Sequence, residues 1–224
     1  MPQDTPLQTA PTLQVDIVSD VMCPWCIVGY RQLERALAQA GVGAFVRWHP
    51  FELNPAMPTE GQNLSEHIAE KYGASPEQSA QNRLHLAQIG QELGIDFQFT
   101  PDSRIVNSFA AHQLLTWAQE HDLQHPLKLA FFEAHFTQGR DISDPAVLID
   151  AAETVGLDRT AATEVLETGS HADRVRELQS VWTNQGITGV PAMVFEGKYL
   201  VTGAQGADNY TKILQEILAQ KSAS

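Results

Sequence analysis

Leu13-Gln-Val-Asp-Ile-Val-Ser-Asp-Val-Met-Cys-Pro-Trp-Cys26 gathers both cysteines of a 224-residue chain into one short segment. Leu13 to Val18 alternates apolar and polar side chains, with Val and Ile prominent, which is the pattern of a strand. Ser19 to Met22 turns out of it. Cys23 then falls where a helix begins, and Pro24 takes the first helical position, where its missing N–H is no loss. Cys26, Tyr30, Leu33, Leu37 and Ala40 continue as a helical stripe that Gly41 and Gly43 end. Ala44 to Leu53 reads as a second strand, parallel to the first if the helix is a right-handed crossover. Pro50 marks irregularity near its end.

Beyond this unit the character changes. Long amphipathic stretches fill residues 61–185, with helices predicted over 77–93 (opened by Ser75-Pro76), 104–121 and 127–136. Ser143-Asp144-Pro145 caps a fourth, and residues 159–167 and 171–185 supply two more. Strand character then returns. Val190 to Phe195, the turn Glu196-Gly197 and Lys198 to Thr202 form a hairpin pattern, and residues 207–220 close the chain as a helix. The order β-α-β, helices, β-β-α predicts an α/β fold. Residues 13–60 and 186–224 share one sheet around an all-helical insertion, 61–185, and residues 1–12 form a loose arm.

Composition narrows the function. A formal net charge of -13 argues against nucleic acid and anionic membrane as partners. No apolar run approaches the ~18 residues of a membrane span. The first twelve residues carry neither the basic residues nor the apolar run of a secretory signal. The expectation is a cytoplasmic protein.

Two cysteines cannot build a disulfide framework, and a metal site at Cys23 and Cys26 would need two further ligands. Of eight histidines only His121 and His125 are closely spaced, with no carboxylate cluster beside them, so no metal is expected. A C-x-x-C beside a strand-helix pattern is read as a redox couple. At the start of a helix Cys23 would meet unpaired amides and the positive end of the dipole, which lowers a thiol pKa from ~8.5 toward ~3.5–7.5. Cys26, one turn on, would resolve the mixed disulfide formed at Cys23. Pro24 and Trp25 between them, and the edge at Val190, are the expected substrate contacts. Pro191 opens a strong strand, either through a cis bond that turns the Val190 backbone outward or as a plain trans proline.

Ser19-Asp-Val-Met-Cys-Pro-Trp-Cys26, a helical insertion and Gly189-Val-Pro191 before a hairpin together resemble the DsbA-like branch of the thioredoxin superfamily, and within it the cytoplasmic FrnE-type proteins. Phe51-Glu-Leu-Asn-Pro55, Ser108-Phe-Ala-Ala-His-Gln-Leu114, Phe136-Thr-Gln-Gly-Arg-Asp141 and Thr202-Gly-Ala-Gln205 fit the same type. The resemblance runs from Leu13 to Leu218. It implies a thioredoxin fold with an inserted helical domain and a cis Pro191 beside the cysteines. It also implies thiol–disulfide exchange or isomerisation on protein substrates, with no cofactor beyond the Cys23–Cys26 couple and glutathione as a conceivable co-substrate.

One departure stands out. The buried acid that many thioredoxin-like proteins carry six positions before the first cysteine is replaced here by Ile17. Asp16 is expected to face the other way, and Asp20 to serve the turn. Kappa-type glutathione transferases and 2-hydroxychromene-2-carboxylate isomerases resemble the chain too, but typically carry a serine where Cys23 stands. They keep open a glutathione-dependent transferase or isomerase acting on aromatic electrophiles, with Asn54, Val190 and Asp208 toward the ligand. A binding module that holds unfolded chains is the third reading.

Overall fold

The structure is a computed structural model and describes residues 11–222. The arm expected over residues 1–12 therefore lies almost wholly outside the described residues; Thr12 already begins β1 (Thr12–Ser19). β1 leads through a tight turn into α1 (Pro24–Ala40) and back to β2 (Gly43–Pro50), which pairs with β1 in parallel. Pro50 ends β2, because a proline has no N–H to give the ladder. Late in the chain β5 (Ala192–Phe195) joins β1 antiparallel and β6 (Tyr199–Thr202) joins β5. The sheet order is β2-β1-β5-β6, so the two ends of the chain do share one sheet. Glu196 and Gly197 both take positive φ (54° and 65°), the backbone that matches hairpin twist. α9 (Ala207–Ser222) packs against α1, with Tyr210, Leu214 and Ile217 buried beneath it.

The stretch between β2 and β5 is helical, as expected, with two differences. Residues 104–121 do not form one helix. Arg104 and Ile105 are a short strand, β4, paired with β3 (Gln62–Asn63), and the helix α4 spans only Phe109–Ala118. Asn107 stops extension backward, because its side chain accepts the Phe109 amide. The helix expected over 127–136 begins earlier. α5 covers Gln124–Phe132 and holds Pro126 in its first turn, where the proline removes no helical hydrogen bond; a π turn, Glu133–Thr137, follows. The remaining helices are α2 (Leu64–Tyr72), α3 (Pro76–Leu93), α6 (Pro145–Thr154), α7 (Arg159–Thr168) and α8 (Ala172–Asn184). Among the described residues no helix is long and apolar enough to cross a membrane.

Two apolar cores meet at the cysteines. One holds the sheet, α1 and α9 with Phe132 and Phe136, and includes Cys23 and Cys26; the other holds the helices and includes Val21 and Met22. The Ser19–Cys23 turn therefore lies on the seam. α5 seals that seam at the free edge of β2, where the Gln124 amide accepts from the Trp48 N–H and donates to the Trp48 carbonyl, both at 2.9 Å. α3 supplies a second anchor. A Cβ on Gly90 would lie 2.6 Å from the Ile95 carbonyl oxygen and 2.7 Å from the Phe97 ring. Gly90→Ala is expected to cost about 2–3 kcal/mol and lower the melting temperature by several degrees in a thermal melt, because backbone cannot yield as a side chain can.

Candidate active site

Asp20 shapes the turn that presents the cysteines. Its carboxylate accepts the Met22 N–H at 3.2 Å and the Leu53 N–H at 2.7 Å, and His112 Nε2 lies 3.5 Å away. Asp20 and His112 are both fully enclosed. Burial alone would raise the Asp20 carboxyl, but His112 and the two amides outweigh it and hold it below the usual carboxylate range, so it is an anion. Cys23 is the N-cap of α1 with extended backbone (φ -94°, ψ 110°); no side chain caps the helix and no acidic residue stands in its first turn. Pro24 follows at the first helical position. Cys23 and Cys26 are free thiols 3.4 Å apart. The Cys23 Sγ is 3.8 Å from the Val190 carbonyl oxygen. The Val190–Pro191 peptide is cis, and Pro191 is buried against α1, where a Cβ on Gly29 would be 3.3 Å from the Pro191 ring. Sulfurs at a helix mouth directly beside a cis-proline loop are the arrangement that the resemblance implied, and the model of the DSBA-like thioredoxin domain matches residues 14–215.

The chain belongs to the DSBA-like thioredoxin domain family.

It is 32% identical to a probable DsbA oxidoreductase from Streptomyces coelicolor, whose crystal structure superimposes with a TM-score of 0.85 over 92% of this chain and 90% of that one. It is 27% identical over 206 residues to YwbO of Bacillus subtilis (strain 168), covering 92% of this chain and 97% of that protein. The cytosolic disulfide reductase DsbM of Pseudomonas aeruginosa, solved with GSH, shares the fold at 18% identity, with a TM-score of 0.63 over 92% of this chain and all of DsbM.

The DSBA-like site corrects one expectation outright. The Cys23 thiol is not pulled down by its position at the helix mouth. Its hydrogen bond to Cys26, burial, and the charges of Cys26 and Asp20 push it well above its ordinary value, and the Cys26 amide alone works the other way. For Cys26 burial is opposed by the hydrogen bond from Cys23, by the Lys128 charge and by Ser19, and these hold that thiol below its ordinary value. The two sulfurs therefore titrate as one coupled pair, with Cys26 the more acidic of the two. The helix mouth is real, but the bond to Cys26 and burial outweigh it, with the Asp20 charge adding to them.

A cavity of about 1010 Å3 opens in front of Cys23. Cys23, Pro24, Trp25 and Val190 line it and Cys26 does not. Trp25 stands exposed at the rim, its ring 6.1 Å from that of His85. Asn54 lines the cavity too, whereas Asp208 lies outside it, beside Gln205 and Lys212 at the start of α9. The segment Phe136–Asp141 forms one wall.

Several lining groups escaped the sequence reading. Arg83 and Arg104 reach the cavity and bond to Ser65 Oγ and the Glu60 carbonyl, and neither has a carboxylate partner among the described residues. His67 Nε2 and His135 Nδ1 are buried without a hydrogen-bond partner among the described residues. These positions are far apart in the sequence, on α2, α3, β4 and the π turn, so no local pattern marks them. The close pair His121 and His125 turns out to be structural. His125 Nδ1 accepts from Trp48 Nε1 and Nε2 meets the Tyr30 hydroxyl, both at 3.0 Å, and His121 packs edge-on against Trp117. Asp16 does face away from the cysteines, and pairs with His49 at 2.8 Å.

Proposed function

We propose that this protein is a thiol–disulfide oxidoreductase that works on protein disulfides through Cys23-Pro24-Trp25-Cys26, with a glutathione-like thiol as the second partner. The observation that carries the reading is the inequality of the two sulfurs: Cys23 faces the cavity and Cys26 stands 3.4 Å behind it, closed off. Cys23 is the attacking thiol. Its sulfur bonds to one sulfur of the substrate disulfide, and the other leaves as a thiolate. As it attacks, its proton passes along the existing hydrogen bond to Cys26. Cys26 then bonds to the Cys23 sulfur and releases the second substrate thiol. The substrate gains two electrons and the pair becomes a disulfide. Run backward, the same steps insert a disulfide; stopped after the first, they permit isomerisation. The Val190 carbonyl beside Cys23 and the exposed Trp25 offer an extended peptide a polar edge and an apolar platform.

The cavity supports the small thiol. It is large enough for a tripeptide, and its charged lining is Arg83, Arg104 and Arg140 against Asp102 and Asp141, one positive charge in excess in an otherwise acidic protein. Both cysteines belong to the couple and none is left for structural disulfides, which suits the cytoplasm. In coupled assays with glutathione disulfide, Arg83→Ser with Arg104→Ser is expected to raise KM about tenfold with little change in kcat, because the lost charges bind substrate and product alike. The same cavity favours the second reading, a glutathione-dependent transferase or isomerase on aromatic electrophiles. That reading requires Cys23 and dispenses with Cys26, so full glutathione-dependent turnover by Cys26→Ala, with no exchange of protein disulfides by the native chain, would replace the first reading with the second.

A further inference from the structure

Cys23 is only 4% exposed, inside the cavity it lines. A small disulfide fits such a space, but a protein disulfide must bring its own backbone up to the sulfur. For a macromolecular substrate, part of the wall has to move.

The part with least holding it is α2. It gives Leu64, His67, Ile68 and Tyr72 to the cavity. Of its nine residues only His67 is buried, whereas α4 buries Ala111 to Ala118 without a break. Few buried contacts and exposed polar bonds mark a segment that opens at low cost. The first turn of α2 is well tied. β3 pairs with β4 just before it, the Asn63 side-chain amide donates to the Pro101 carbonyl at 2.9 Å, the Leu64 N–H to the Ser103 carbonyl at 2.8 Å, and Arg83 to Ser65 Oγ at 3.3 Å. The last turn is different. Glu70 bonds back only to Gln62, at the start of the same segment. Lys71 Nζ alone reaches another part of the chain: it donates to the Leu53 carbonyl at 2.7 Å and to Asn54 Oδ1 at 2.5 Å, and lies 5.5 Å from the centre of the Tyr72 ring. Gly73 then takes a left-handed backbone (φ 66°), and a Cβ there would meet nothing within 4 Å, so the joint after Tyr72 is sterically open. Lys71 thus fastens the loose end of α2 to Leu53, the residue whose N–H Asp20 ties to the cysteine turn, and to Asn54 on the cavity wall.

We propose that α2 is a lid on the cavity of Cys23 and that Lys71 is its latch and the specificity-determining residue of the site: latched, the cavity gives small thiols and disulfides access to Cys23; released, it admits the disulfide of a protein chain. The inference rests on the oxidoreductase reading of the same site and names what selects between its two substrate classes. The β3–β4 pair stays in place as the pivot, and Tyr72 moves with the free end. The latch is exposed and competes with water, so the closed and open forms lie close in free energy.

The test uses Cys26→Ala, in which Cys23 is the sole thiol, alone and combined with Lys71→Met or Lys71→Arg. Each is alkylated with N-ethylmaleimide and with the same maleimide on a long polyethylene glycol chain. Lys71→Met is expected to raise the ratio of the large-reagent rate to the small-reagent rate at least about fivefold, because the open lid becomes more populated. Lys71→Arg keeps donors for both oxygens and is expected to stay within about twofold of the unlatched chain's parent, Cys26→Ala. Hydrogen exchange of the native chain should find residues 64–72 opening at least about 100-fold more readily than α4, and Lys71→Met should speed that segment alone. With both cysteines present, Lys71→Met should raise kcat/KM for insulin reduction while turnover of glutathione disulfide stays within about twofold. An unchanged alkylation ratio in Lys71→Met, an α2 as strongly protected as α4, or equal gains for insulin and glutathione disulfide would overturn the assignment and leave the redox reading intact. A ratio that responds in a chain whose native form reduces neither substrate would remove the oxidoreductase reading, and the specificity assigned to Lys71 with it.

Discussion

Replacing Cys26 with alanine is expected to yield a protein that captures disulfide substrates and cannot release them. Cys23 sits on the cavity wall and can still attack, but the group that would displace the captured chain, 3.4 Å behind it, is gone. Covalent complexes should accumulate with denatured, disulfide-bearing proteins, visible on non-reducing gels and dissolved by a small thiol. The complementary change, Cys23→Ser, removes the attacking sulfur and should lower the rate of insulin disulfide reduction by about 1000-fold or more, with no complexes formed. Cys23→Ser keeps a donor for the Val190 carbonyl, and Cys26→Ala gives up only the weak thiol bonds to Cys23 and Ser19, so both variants should melt close to the native chain. Complexes trapped equally well by Cys23→Ser would reverse the roles of the two sulfurs.

Asp20 carries the second large effect, this time on stability and acidity together. Asp20→Ala would strand the amides of Met22 and Leu53 and leave His112 with the Phe51 carbonyl, 3.1 Å from its Nε2, but no carboxylate. A loss of about 3–5 kcal/mol is expected in denaturant unfolding, the range for breaking one side of a buried charged network. Asp20→Asn keeps the shape and removes one of the charges that, after the bond to Cys26 and burial, push Cys23 up, so alkylation of Cys23 at neutral pH should accelerate several-fold. The pH dependence has a definite sign. The folded carboxyl titrates below its ordinary 3.8, so its contribution is complete above that value and is lost as pH falls through the depressed folded value. Acid unfolding of the native chain should therefore steepen below about pH 4, and Asp20→Asn should flatten that limb. An unchanged acid limb would mean that Asp20 is not held as a buried anion.

The sheet and the cysteines were legible because their signals are local. Alternation marks β1, Pro24 marks the helix start, and Gly41 marks its end; in the structure Gly41 adopts the left-handed cap. The hairpin was legible from Glu196-Gly197, and the opening of α3 from Ser75-Pro76, which builds a capping box with Gln78. What local pattern could not carry was the sign of the Cys23 shift. The helix dipole is written in the order of residues 23–26, but it is opposed by the bond to Cys26, by burial, and by Asp20, which Leu53, Met22 and His112 keep ionised. Lys128 was within reach. A charged residue inside Leu127-Lys-Leu-Ala-Phe-Phe132, in phase with Gln124 and Phe132, already lies on the buried face of its helix. The cavity wall was not, since Arg83, Arg104, His67 and His135 come from α3, β4, α2 and the π turn and meet only around one cavity.

The most direct test of a reversible couple at Cys23 and Cys26 is a redox titration. The protein is equilibrated in buffers of graded reduced and oxidised glutathione, quenched by acid, alkylated, and weighed. The account predicts that both thiols vanish together in a single two-electron transition, giving a species two hydrogens lighter that carries no alkyl group. Two alkylated cysteines persisting at the oxidised end, or a chain that stops with glutathione bound at Cys23 and Cys26 still free, would contradict it.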